Sequence, residues 1–149
     1  MIIKNTLNDI LLICDTVPDQ LRDISNIDFC AKLSSRWSKQ EILGHLTDSA
    51  SVNIQRLLRG QIEYSPQIYY DQDEWVAIQD YQHYNKAHLI ALWELLNRHF
   101  VYIANRIPEE NLNRTCQMRD GQAVTLRYLI EDYLSHLQHH LQQIMTQNK

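Results

Sequence analysis

Three histidines, His45, His136 and His140, are the residues of this chain best placed to do chemistry. The last two are four residues apart in the stretch Tyr133 to Ile144. Four residues advance a helix by a little over one turn, so both imidazoles leave the same face and can close on one ion. His45 sits far upstream, in a second amphipathic stretch that begins at Ser38. Three neutral imidazoles suit zinc, nickel or another borderline divalent metal. Three protein ligands also leave a coordination position open for water or substrate. The competing reading is three unrelated histidines, one packed between helices and two on a surface. His139 lies about 100° around the helix from His140 and about 60° from His136, and is expected to be exposed or to support the ligands rather than be one.

Four helices must position these side chains. The first starts near Ile3 and carries Leu7, Ile10, Leu11 and Cys14 on one side, with Pro18 expected to kink or divide it. In the second, Ser38 and Glu41 form a capping box. Ile42, His45, Leu46, Ser49, Val52, Asn53 and Arg56 then share a stripe, and Gly60 is the expected stop. Gly44 inside this helix costs about 1 kcal/mol against alanine, a cost that a buried close approach would explain. Residues 61–80 read as irregular. The third helix runs from about Tyr84 to Arg106, with Leu89, Leu92, Trp93, Leu96, Phe100 and Ile103 inward, and Pro108 ends it. Asp120-Gly121 marks a short hairpin, and Thr125 caps the fourth helix. The expected fold is an all-α antiparallel four-helix bundle over residues 1–149, one domain with a long crossover between the second and third helices.

Polar residues near the histidines define the remaining candidates. Asp48 and Asp132 are at offsets from which a carboxylate can orient His45 or His136, or can be a solvated helix charge. Ser49, Asn53 and Arg56 continue the stripe of His45, where they could line a pocket and bind a cofactor or act on substrate, or simply mark where the helix leaves the core. Asp71, Asp73 and Trp75 lie in the crossover. Either aspartate could serve as a base or touch substrate, with helix capping before Trp75 as the simpler role. The other tryptophans and the tyrosines read as core and interface aromatics.

Composition narrows the function. Three glycines and three prolines favour long helices over hairpin-rich folds. A formal charge of −4 without a Lys/Arg cluster argues against a nucleic-acid partner. The scattered Cys14, Cys30 and Cys116 fit buried thiols in a reducing cytoplasm. Neither a signal-peptide pattern nor a membrane-length apolar run is present.

Three segments carry a resemblance. Trp37 to Ser49 (WSKQEILGHLTDS), Tyr70 to Val76 (YDQDEWV) and His136 to Ile144 (HLQHHLQQI) resemble, in order and spacing, the signatures of DinB/YfiT-like proteins. The resemblance implies a four-helix bundle, commonly dimeric, with a divalent metal on His45, His136 and His140. Characterised relatives include thiol-dependent S-transferases and isomerases, and others are described as metal-dependent hydrolases. The expectation is therefore a homodimeric, metal-dependent enzyme that transfers a low-molecular-weight thiol to a small electrophilic substrate. The alternatives are a metal-dependent hydrolase and a non-catalytic helical binding or stress-response module.

Overall fold

Apolar residues at helical spacing draw four long helices together. The computed structural model describes residues 2–34 and 36–146, apart from the side chain of Ile2. The long helices are α1 (Ile2–Asp23), α3 (Lys39–Ile62), α5 (Lys86–Ala104) and α6 (Leu126–Thr146). Short helices α2 (Asn26–Cys30) and α4 (Gln72–Gln79) sit in the connections, with 3₁₀ turns at Tyr81–His83 and Glu109–Asn113. Strands β1 (Thr115–Gln117) and β2 (Ala123–Thr125) form the expected antiparallel hairpin, Cys116 opposite Val124. Both α1 and α3 pack against both α5 and α6, which makes the four-helix bundle. Its core runs from Leu7, Ile10 and Leu21 through Leu43, Leu46 and Leu57 to Trp93, Phe100, Ile130 and Ile144.

Several local expectations change in the folded chain. Pro18 does not divide α1, which runs unbroken past it. Proline has no N–H to offer the carbonyl four residues back. Arg98 of α5 supplies a substitute by donating from Nη2 to the Cys14 carbonyl at 3.3 Å. Gly60 does not stop α3, which continues to Ile62. A Cβ at Gly60 would lie 2.7 Å from Leu126, so this glycine admits the start of α6. The crossover is not wholly irregular, because Asp71 caps α4 by accepting from the Glu74 amide at 3.0 Å. Leu92, expected inward, is exposed.

The signals nearest the site hold. Ser38 and Glu41 form the reciprocal capping box, and Thr125 accepts from the Tyr128 amide at 3.1 Å. Gly44 faces Tyr81, whose ring carbons lie 2.2 and 2.3 Å from where a Cβ would stand. The crossover thus presses directly onto α3 one residue before His45. Tyr133 of α6 donates to Asn97 Oδ1 at 2.6 Å, and Asn97 donates to the Trp93 carbonyl at 2.8 Å. This buried link sets the rotation of α6 against α5 and so directs the face that carries His136.

Candidate metal centre

Packing of α3 against α6 brings His45, His136 and His140 together. One ring nitrogen from each lies within 4.8 Å of the others. Ring centroids are 5.1 Å apart for His45–His136, 4.8 Å for His45–His140 and 4.5 Å for His136–His140. The Nε2 atoms of His45 and His136 are 3.2 Å apart. Two ligands of a tetrahedral ion with metal–nitrogen lengths of about 2.0 Å stand about 3.3 Å apart, so this pair has the bite a divalent metal requires.

Electrostatics keep the imidazoles in the form that binds metal. Burial, followed by His136 and His140, pushes the His45 pKa down to about 3. Burial, then His140 and His139, pushes His136 down to about 4. Burial also lowers His140, against a raising effect from Gln143. His140 Nδ1 donates to Gln143 Oε1 at 2.8 Å, which leaves its Nε2 lone pair free. His139 is exposed, as expected, and receives a 3.2 Å contact from Gln143 Nε2.

Asp48 does not orient His45. Its Oδ1 accepts from Tyr81 Oη at 2.7 Å and from Gln79 Nε2 at 2.8 Å, while Oδ2 has no hydrogen-bond partner among the described residues. Burial raises its pKa, and these two hydrogen bonds oppose the rise. His45 Nδ1 is likewise buried without a hydrogen-bond partner among the described residues. The Trp37 ring packs on His45 at 5.1 Å, between centroids. Trp37 therefore walls the imidazole, a role that its reading as a plain core aromatic had missed.

A cleft of about 190 Å³ opens beside His45 and His136. Ser49, Asn53 and Arg56 line it from α3, as the polar stripe suggested. Asp132 and Tyr133 line it from α6, Tyr70 and Gln72 from the crossover, and Met118 from the hairpin. Asp71 is committed to its cap, and Asp73 is exposed in the first turn of α4. Trp75 reaches the cleft indirectly, its ring 4.8 Å from that of Tyr70. Burial, then the Asp48 charge, pushes the Tyr70 hydroxyl up to about 12. Tyr70 opens the Tyr70 to Val76 segment of the resemblance, the one signal in the sequence that could have marked it. Nothing in the sequence marks Met118. The thiols stand apart: Cys14 and Cys116 are buried and free, and burial pushes Cys14 up to about 11.

The same fold occurs in solved structures. YfiT from Bacillus subtilis, described as a probable metal-dependent hydrolase with an unusual four-helix bundle topology, superposes with a TM-score of 0.81 at 19% identity, covering 93% of this chain and 83% of that one. A mycothiol-dependent maleylpyruvate isomerase superposes with a TM-score of 0.78 at 14% identity, covering 95% of this chain and 60% of that one. In sequence, the chain is 28% identical over 109 residues to a Halalkalibacterium halodurans protein provisionally named a metal-dependent hydrolase. That match covers 72% of this chain and 63% of the relative, so under two thirds of the relative's length is spanned. The sequence pattern of the DinB superfamily matches residues 8–144. A match that runs from the first turns of α1 almost to the end of α6 settles kinship: the chain belongs to the DinB superfamily.

Proposed function

We propose that this protein is a metal-dependent hydrolase of small electrophilic substrates, with one divalent ion, zinc or nickel, on His45, His136 and His140. The convergence of three neutral imidazoles beside a polar cleft carries this reading. Such an ion supplies Lewis acidity, which activates a bound nucleophile or polarises a carbonyl. The chain's own residues do the rest. Gln143 holds the His140 tautomer, Trp37 shields His45 from water, and Tyr70, Asn53 and Arg56 shape the space where substrate sits. Water is favoured as the nucleophile because the Halalkalibacterium halodurans relative is named for metal-dependent hydrolysis.

Thiol transfer is the second reading. A shallower depression of about 430 Å³, lined by Arg119, Asp120 and Tyr128, shares Met118 and Asp132 with the cleft and could seat a low-molecular-weight thiol. The bundle's likeness to a mycothiol-dependent enzyme agrees with it. The same proposal places the chain in the cytoplasm as a homodimer and as one domain. Among the described residues, no helix is long and apolar enough to cross a membrane.

Metal analysis of protein purified without a polyhistidine tag tests the reading. One ion per chain is expected, lost in His136→Ala, together with turnover of an electrophilic ester without added thiol. Turnover only with thiol selects transfer. A metal-free protein whose stability is unchanged by His136→Ala would instead be a binding module.

A further inference from the structure

We propose that the substrate carries a carboxylate and that Arg56 is the side chain that receives it. This rests on the cleft being the substrate site. Arg56 is only 8% exposed, and no carboxylate lies within ion-pair distance of it among the described residues. A buried cation is costly unless paired and hydrogen-bonded. The chain supplies the hydrogen bonds but, among the described residues, no ion-paired carboxylate. Nε and Nη2 donate to the Ile68 carbonyl at 3.0 and 2.8 Å, and Nη1 donates to Asn53 Oδ1 at 3.3 Å. A guanidinium has five N–H donors, so one remains on each terminal nitrogen.

Two donors on adjacent nitrogens match the two oxygens of a carboxylate, the planar pairing in which arginine outperforms lysine. Arg56 lines the same cleft as His45 and His136, about three turns along α3 from His45, so an anion on Arg56 leaves the rest of a small molecule directed at the histidines. Asn53 is itself held, donating from Nδ2 to the Ser49 carbonyl at 2.9 Å, and therefore fixes the fork before ligand arrives. Asp132, exposed on α6, is the acidic residue facing the cleft, and its charge bears on Arg56 from a distance. It repels a second negative group, which favours a monoanion over a dianion.

The test uses the full chain stripped of metal by chelation, so that the probe cannot bind an ion. Benzoate is titrated by calorimetry, with neutral benzamide and inorganic phosphate as comparators. Benzoate binds the wild type, benzamide does not, and Arg56→Gln weakens benzoate by at least about tenfold, the scale of losing a charge-assisted pair. Arg56→Lys restores little, because it lacks the fork. Equal benzoate affinity in wild type and Arg56→Gln overturns the proposal, as does tighter binding of phosphate than of benzoate. Should Arg56→Gln fail to fold, the side-chain Nε resonance of Arg56 in the wild type decides. A shift with benzoate and none with benzamide supports the pairing, and no shift with either overturns it. Metal content of Arg56→Gln is measured separately and stays at the wild-type value, so loss of the anion site cannot be confused with loss of the metal site.

Discussion

His45, at 1% exposure, shows how burial prepares an imidazole for a metal before any metal arrives. Above pH 6.5, the ordinary histidine value, it is neutral in both the folded and the unfolded chain. Below that, the unfolded chain takes up a proton that the folded one refuses until about pH 3. Stability of the metal-free protein is therefore complete above pH 6.5 and is lost as pH falls toward about 4 for His136 and about 3 for His45. The slope is about 1.4 kcal/mol per pH unit for each group, between its two values. Urea unfolding across this window checks it: His45→Gln should flatten the acid side relative to wild type, and an unchanged slope would contradict the assignment. At this scale helical spacing was enough to put His136 and His140 on one face, and the fold brings His45 to them. The sequence was a poor guide to Asp48. Tyr81 and Gln79, which capture that carboxylate, lie more than thirty residues along the chain, in the turn after α4 and at the end of α4.

Helix α3 brings His45, Ser49, Asn53 and Arg56 to the site, and its two internal glycines admit neighbouring elements. At Gly44 the visitor is the Tyr81 ring, and at Gly60 it is Leu126, with Cys116 Sγ at 3.0 Å. Gly44→Ala gains helix propensity but must displace an aromatic ring that is itself hydrogen-bonded to Asp48. We expect a net loss of about 1–3 kcal/mol, the usual cost of overpacking a filled core. The displaced crossover should also carry Tyr70 away from the cleft. Chemical denaturation reads the first effect, and weaker benzoate binding in the metal-free protein reads the second. The glycine's cost was visible in the chain, whereas the identity of the ring that explains it was not. The cap ahead of Trp75 was likewise legible, whereas the extent of α4 was not, since eight residues with one buried apolar side chain, Val76, show no period.

At the scale of the whole molecule, α5 presents Leu92, Leu95 and Tyr102 outward at helical spacing, with exposures of 39%, 64% and 60%. A stripe of this kind on an outer helix is a natural place for a second copy, and Leu95→Glu should abolish association if the protein is a homodimer. Light scattering at micromolar concentration measures it. A monomer mass for the wild type would remove this part of the proposal.

The sequence alone determined the four long helices, the capping box of α3, the hairpin and the face on which each histidine lies. These follow from interactions within a turn or two of chain: periodic apolar side chains, caps and turn residues. Tertiary structure decided everything that depends on an approach between distant residues. It brought the Nε2 atoms of His45 and His136 to 3.2 Å, let α1 pass Pro18 through a donor from α5, and set Tyr70, Met118 and the Ile68 carbonyl around Arg56 and the cleft. Such distances are set by how side chains of different helices interdigitate, and local periodicity does not contain that information.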